Sequence, residues 1–199
     1  LRPDPDALAG AQGAGITAAL SVPSGGILQG RSALIALTGD PATTVLAPEL
    51  AQHVAFVPAR GGFPGSLMGV FAALRQAMLD AQRYRDAQAL AARDPRGTAA
   101  PTYDPALEAL LPVLARRQPL VMQADTRREI ERALDLAKEF GVRAVIAGGR
   151  EAPLVADRLK AENVPVLLSV NFPRRTTAPA PDADPDPVRL LRARVEAPQ

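Results

Sequence analysis

Three short apolar runs recur at nearly even spacing in the second half of the chain. They cover residues 120–122, 144–146 and 166–168, roughly 22 to 24 residues apart, which is the length of a compact βα unit. Runs that are apolar on both faces are typical of parallel strands covered by helices. The stretch 119–170 is therefore predicted to fold as strand, helix, strand, helix, strand.

The two segments between these runs have the pattern of amphipathic helices. In the first, Thr126 and Glu129 form the sequence signature of a capping box, and Gly141 suits the left-handed position after the last turn. Its predicted inward residues are Ile130, Ala133, Leu134, Ala137 and Phe140. In the second helix, predicted over about 151–162, the inward residues are Leu154, Val155 and Leu159. Both helices are packing elements, so we expect the chemistry in the loops that follow the strands.

The first half of the chain has a weaker pattern of the same kind. The predicted strands are 16–22, which we expect to be buried, 33–37 and 54–57, and the predicted helices are 5–12, 66–93 and 106–116. The glycine-rich stretch 23–32 is interpreted as a tight loop, because its spacing fits neither a P-loop nor a dinucleotide-binding motif. Residues 38–48 are predicted to form a polar connection with a turn at 39–41, and the far end of the long helix, 82–93, is polar enough to project from the domain. No hairpin signature is present, so the sequence predicts an α/β fold with about five or six parallel strands.

Composition narrows the chemistry further. The chain has 199 residues, 47% hydrophobic and 22% charged, which indicates one ordinary globular domain. A formal net charge of +2 and 4% aromatic residues argue against a nucleic-acid surface, and no apolar run is long enough to span a bilayer. Cysteine is absent and His53 is the single histidine, so no disulfide, thiolate site or histidine cluster can form within this sequence. His53 itself, placed at a strand start, is interpreted as a structural residue.

The order of three segments resembles a known enzyme family. GAGITAALSVP, then FAALRQAMLDAQRY, then the long stretch from LPVLARRQPLVMQAD to ENVPVLLSV are similar to the middle of a bacterial metal-dependent amidohydrolase of the imidazolonepropionase-like branch. The resemblance covers most of residues 1–175. It implies a (β/α)8 TIM barrel in which 15–22 is an early strand and 119–123, 143–147 and 165–169 are about the fifth, sixth and seventh. It also implies metals at the carboxyl ends of the strands, where metal-bound water attacks an amide or cyclic imide-like carbon of a small-molecule substrate.

The sequence departs from the family pattern at the metal ligands. The H-x-H pair of the first strand has no counterpart, and the aspartate of the last strand would lie beyond Gln199. Gln123 stands where the family places a histidine on the fifth strand, and Gly148 or Gly149 stands at the sixth-strand position. Zinc or another divalent metal is therefore implied only if its ligands lie outside this chain, and otherwise no cofactor is expected. Either the chain is a segment of a longer amidohydrolase, completed by further barrel segments or a partner chain, or it is a relative that has lost its metal.

Five residues at the predicted strand ends are the candidates for contact with substrate, although none is assigned a catalytic role. They are Gln123, Asp125, Gly149, Glu151 and Asn171, and the carboxyl ends of neighbouring parallel strands bring such residues to one mouth. Asp125 and Glu151 also suit helix starts, and Gly148-Gly149 suits a tight turn.

The predicted organisation is a barrel segment over 1–175, a proline- and aspartate-rich linker over 176–187, and a short helix over 188–199. The predicted function is metal-dependent hydrolysis of a C–N bond in a cyclic or linear amide. The alternative is a non-catalytic α/β module that binds a ligand or uses the helix over 66–93 for assembly. A doubly wound small-molecule domain is a third alternative. The expected partner is a small molecule, not nucleic acid or membrane, homo-oligomerisation is open, and the resemblance allows either the bacterial cytoplasm or the periplasm.

Overall fold

One mixed sheet with a helical layer on one face organises the chain. The structure, a computed structural model, describes residues 5–37, 44–59, 61–169 and 188. Its six strands lie side by side in chain order. They are β1 (Ala18–Ser21), β2 (Leu28–Ala36), β3 (Val45–Ala55), β4 (Leu120–Ala124), β5 (Ala144–Gly148) and β6 (Val166–Leu168). The helices are α1 (Pro5–Gly13), α2 (Leu67–Arg93), α3 (Pro105–Leu114), α4 (Arg127–Phe140) and α5 (Ala156–Ala161), the last preceded by a 3-10 turn at Ala152–Val155. The predicted turn at 39–41, linker at 176–187 and terminal helix lie outside the described residues, Val188 excepted.

The parallel half of the sheet confirms the prediction from the apolar runs. β3, β4, β5 and β6 pair in parallel, each with the next. The capping box of α4 is formed in both directions between Thr126 and Glu129, and Gly141 ends the helix in the left-handed conformation. The strand–helix–strand repeat, with its helices on one face, is the unit of a (β/α) barrel.

The prediction of parallel strands throughout is wrong for the first part of the sheet. β1 pairs antiparallel with β2, and β2 pairs antiparallel with β3. The connection between β1 and β2 turns at Gly25 and Gly26, both at positive φ, and it is longer than the two-residue turns that give a clear hairpin signature. β2 also begins inside the stretch interpreted as a loop, with Gly30 beside a register shift.

β1 and β3 differ from the prediction as well. β1 is an edge strand and not a buried one, with Leu20 36% exposed. β3 begins at Val45, within the stretch expected to be a polar connection. The sequence pattern missed this part of the strand because it is exposed and irregular and contains Pro48 and Glu49.

The core lies between the sheet and α2 to α5. Every second residue of β4 and β5 enters it, namely Leu120, Met122 and Ala124 of β4 and Ala144 and Ile146 of β5, as the two-residue period of a strand requires. On the helical side α4 contributes all but one of its predicted inward residues to this buried cluster, and the exception, Phe140, packs against it half-buried. In the second predicted helix, which forms the 3-10 turn and α5, the prediction is wrong for Leu154, which is 66% exposed, whereas Val155 and Leu159 are buried.

The long helix α2 begins at the predicted cap, Ser66, whose side chain accepts a hydrogen bond from the Gly69 N–H. Its far end does not project, because Tyr84 and Ala91 are buried and Gln88 donates a hydrogen bond to Glu108 of α3. Neither α2 nor any other helix within the described ranges is long and apolar enough to cross a bilayer.

Candidate functional site

The parallel strands present a second set of residues on the face opposite the helices. Strand alternation and the pairing register place these residues together. This inner face comprises His53, Ala55, Val121, Gln123, Val145, Ala147 and Leu167. None of these residues belongs to the core cluster that packs against the helices. In a (β/α) barrel this face lines the barrel interior, and its upper end carries the chemistry.

The inner face is closed at β3 and open towards β6. His53 is 6% exposed, Val145 and Ala147 are half-buried, and Leu167 is 51% exposed. The trend follows from topology, because β6 is the last of the described strands and pairs with β5 alone among them. A small molecule therefore has access to this face from the β6 side.

Gln123 lies on the open part of the inner face. It pairs with Ala55 on one side and Ala147 on the other, and its side chain is exposed. No hydrogen bond joins this side chain to any residue within the described ranges. Its position at the end of a strand, with two free polar groups, is that of a residue available to a ligand.

His53 is a polar residue of the inner face whose importance the sequence did not indicate. It pairs with Val121 of β4 and is buried, and its Nε2 atom has no hydrogen-bond partner in the described structure. Burial lowers the pKa of His53 from its usual value of 6.5, because desolvation disfavours the charged imidazolium. The side chain is therefore a neutral imidazole at neutral pH. The sequence did carry one signal: side chains alternate between the two faces of a strand, and the next residue, Val54, is an apolar core residue, so His53 must lie on the other face.

The acidic side chains at this edge accept hydrogen bonds from backbone N–H groups of the β4–α4 connection and of the loop after β5. Glu129 accepts hydrogen bonds from the N–H groups of Asp125 (3.1 Å) and Thr126 (3.0 Å). Glu151 accepts one from the N–H of Arg127 at 2.7 Å, and the Asp125 carboxylate lies 3.4 Å from the N–H of Arg150. We call Asp125, Glu129 and Glu151 the loop clasp, because Glu129 holds the β4–α4 loop and the other two join that loop to the loop after β5. Carboxylates at a helix N-terminus satisfy unpaired donors and complement the helix dipole.

Loss of the Glu151 carboxylate is expected to weaken the fold measurably. Glu151→Ala leaves the Arg127 N–H without its acceptor and lowers the free energy of unfolding by about 1 kcal/mol, the usual cost of a lost N-terminal cap. Glu131→Ala is the matched control, because Glu131 contacts the exposed guanidinium of Arg127 instead and such a surface pair contributes little. Urea titrations of both variants test this. Equal stabilities for the two would contradict the capping role of Glu151.

Gly148 and Gly149 form the turn above β5. Both have positive φ, and the Gly149 N–H donates to the Ala124 carbonyl oxygen at 2.9 Å. A Cβ on Gly149 would lie 2.6 Å from Cγ1 of Val166. Close packing accounts for glycine here, and Gly149 meets β6 and not the inner face. Asn171, the remaining candidate, lies outside the described residues.

The described residues do not fit a catalytic metal centre. Among them no three His, Cys, Asp or Glu side chains are grouped so as to hold a metal ion. The carboxylates of the loop clasp already accept backbone hydrogen bonds, the His53 Nε2 is enclosed, and the amide of Gln123 is a weak neutral ligand. A zinc site of three protein ligands with an open position therefore has no donor set in this part of the chain.

A cleft of about 870 Å³ opens at the other end of the parallel strands. It is lined by residues that precede β5 and β6 and by the ends of α4 and α5, including Lys138, Arg143 and Lys160. Lysines in the last turn of a helix complement its dipole, which explains Lys138 and Lys160 without a ligand. Because barrels carry their chemistry at the carboxyl ends of strands, we place the candidate site on the inner face and not in this cleft.

Comparison with known proteins supports the architecture. No protein-family model and no curated protein sequence matches the chain. Among solved structures, an amidohydrolase from Thermotoga maritima MSB8 superposes with a TM-score of 0.74 at 23% identity. The match covers 82% of this chain and 45% of that chain, so the sequence spans less than half of the matched protein. The chain therefore has an amidohydrolase-like fold, in the form of a partial barrel with a curled six-stranded sheet.

Proposed function

We propose that this chain is the central part of an amidohydrolase-type protein whose inner face forms one wall of a small-molecule site. The proposed activity is hydrolysis of a C–N bond in a cyclic or linear amide. The observation that carries the proposal is the structural likeness to an amidohydrolase over 82% of the chain. The order of the sequence segments supports the narrower assignment to the imidazolonepropionase-like branch.

The proposal assigns different duties to the predicted site residues. Gln123 lines the site, Asp125 and Glu151 hold the loops above it, and Gly149 shapes the turn beside it. Any metal would take its ligands from residues outside the described ranges or from a partner chain. We propose no homo-oligomer on the basis of α2, since its polar end packs against α3.

The test uses the natural polypeptide isolated from its source cells. We expect an intact mass well above the 20.9 kDa of these residues and bound divalent metal by elemental analysis. We also expect the polypeptide to release amine or ammonia from amides, and a chelator to abolish this hydrolysis. The same polypeptide carrying Gln123→Ala is expected to turn over more slowly. If no preparation hydrolyses an amide, whatever its mass and metal content, the proposal is overturned.

A non-catalytic binding or assembly module is the second candidate. The loop clasp favours it, because the acidic side chains at the strand ends serve the backbone and leave no carboxylate free for proton transfer on the inner face of the described strands. Stable, metal-free protein that binds small amides without hydrolysing them would identify this candidate.

A further inference from the structure

The cleft at the amino ends of the parallel strands concentrates positive charge, and we call it the basic cleft. Its lining includes four cationic side chains, Arg116, Lys138, Arg143 and Lys160, none of which forms an ion pair with another of the described residues. The single acidic side chain of this lining, Glu162, already binds Arg158 at 2.8 Å. Because the whole chain has a formal net charge of only +2, positive charge is gathered here and not spread evenly over the surface.

The helix ends beside the basic cleft account for only part of this charge. Lys138 and Lys160 lie in the last turns of α4 and α5, and Arg116 follows the end of α3. The carboxyl end of a helix carries a partial charge of roughly −0.5, so three such ends together offset roughly the charge of the two lysines. The charges of Arg116 and Arg143 remain without a partner, which leaves the cleft attractive to an anion.

Arg116 occupies the cleft at a conformational cost. Its φ is 59°, in the left-handed region that disfavours residues with a Cβ and that glycine normally takes after a helix. Gly141 takes this conformation at the end of α4, on the same cleft, with φ of 63°. The turn after α3 therefore needs a left-handed residue but does not need an arginine. Backbone strain of this kind is typical of positions that serve a ligand, so the side chain of Arg116 is the feature that requires an explanation.

The size and chemistry of the basic cleft define a class of ligand. Its volume of about 870 Å³ is within the range of small-molecule sites and leaves room for an organic group beside a charged one. A guanidinium presents paired N–H donors that match phosphate oxygens, and a lysine ammonium binds phosphate as a point charge. Two arginines and two lysines in one cleft therefore suit a phosphate compound with more than one negative charge.

We propose that the basic cleft binds a phosphorylated small molecule that carries two or more negative charges. Arg116 and Arg143 hold its phosphate oxygens, and Lys138 and Lys160 add to the attraction. The inner face presents its candidate residues at the opposite ends of the same strands, so this is a second binding site. It goes beyond the proposed function and does not depend on hydrolysis of an amide.

Calorimetric titration of the full chain tests the proposal with four probes: ADP, pyrophosphate, adenosine and citrate. We expect ADP and pyrophosphate to bind saturably, with affinity that falls as salt is added because exposed charges are screened. Adenosine has no phosphate and should not bind, and citrate, whose charges are carboxylates, should bind more weakly than pyrophosphate. No binding of either ADP or pyrophosphate would overturn the proposal, and so would equal binding of citrate and pyrophosphate or of adenosine and ADP.

Arg143→Ala is expected to raise the dissociation constant of ADP about tenfold, the effect of one lost hydrogen bond to a charged group. Arg128→Ala is the matched control, because Arg128 is an exposed arginine at the opposite end of α4 and its loss changes the net charge equally. It should bind ADP as the unchanged protein does. An equal loss of affinity in both variants would reduce the binding to non-specific attraction and overturn the proposal.

Arg116→Gly separates ligand binding from damage to the fold. Glycine suits the left-handed turn after α3 better than arginine does, so the melting temperature should be unchanged or higher, whereas the dissociation constant of ADP should rise about tenfold. Unchanged affinity for ADP in this variant would remove Arg116 from the site and overturn the proposal. Binding of ADP by a chain that hydrolyses no amide would contradict the proposed function alone.

Discussion

Met122→Ala is expected to lower the free energy of unfolding by about 3 kcal/mol, the usual cost of truncating a fully buried methionine. Met122 has no exposed surface and lies within the core cluster between the sheet and the helices. Its neighbour Gln123 points to the other face and is exposed, so Gln123→Ala should change stability by about 0.5 kcal/mol or less, as most exposed substitutions do. Urea denaturation followed by circular dichroism measures both values.

This pair of variants tests the assignment of the two faces on which the candidate site depends. Met122→Leu keeps nearly the same side-chain volume and should lower the free energy of unfolding by less than about 1.5 kcal/mol. Comparison with Met122→Ala therefore isolates the effect of the cavity. If Gln123→Ala were the more damaging substitution, the register of β4 would be shifted by one residue. Every residue assigned to the inner face of that strand would then belong to the core.

The parallel half of the fold could be predicted because several local signals agree there. The runs at β4, β5 and β6 are apolar on both faces, and Thr126, Glu129 and Gly141 mark the ends of α4 independently of the strands. The order of the three sequence segments also indicates an amidohydrolase-like fold, and the structural likeness to an amidohydrolase confirms that fold. The structure of a segment can be predicted from its sequence when the hydrophobic pattern, the helix caps and the turn residues agree.

The antiparallel part was not predictable by the same means. β2 contains Gly30, Arg31 and Ser32, which weaken a strand pattern, and its pairing with β3 includes register shifts that disturb the alternation of faces. The direction of a strand depends on the path of the connection, and the sequence carries no short turn motif that fixes it. A strand pattern alone reports burial and not direction.

The candidate site was partly predictable for a related reason. Position at a strand end suggested Gln123, Asp125, Gly149 and Glu151 together, but a side chain at that position can meet a ligand or a helix start. Only the structure shows that Asp125 and Glu151 accept backbone hydrogen bonds. His53 was underestimated because its strand begins eight residues before it, at Val45, which moves the histidine from a strand start into the middle of the sheet.

Gly149→Ala is expected to destabilise the protein by about 3 kcal/mol, and the comparison with Gly141→Ala identifies why. The two glycines have nearly the same conformation, with φ of 68° and 63°, which costs an alanine roughly 1–2 kcal/mol. The Cβ of Gly141→Ala would meet nothing within 4 Å, whereas that of Gly149→Ala would lie 2.6 Å from Cγ1 of Val166 on β6. Overpacking of this kind adds about 1–3 kcal/mol, so the difference between the two variants isolates the contact with β6.

Thermal and urea unfolding of both variants, with titration of a small amide into whichever remains folded, separates packing from ligand contact. A Gly149→Ala protein that is less stable but binds the amide normally once folded would assign Gly149 to the turn, as its buried position indicates. Equal stabilities for the two variants would contradict the close approach of the turn to Val166. A stable Gly149→Ala protein with impaired binding would instead return Gly149 to the ligand site, because the added methyl group would then be obstructing the ligand and not the sheet.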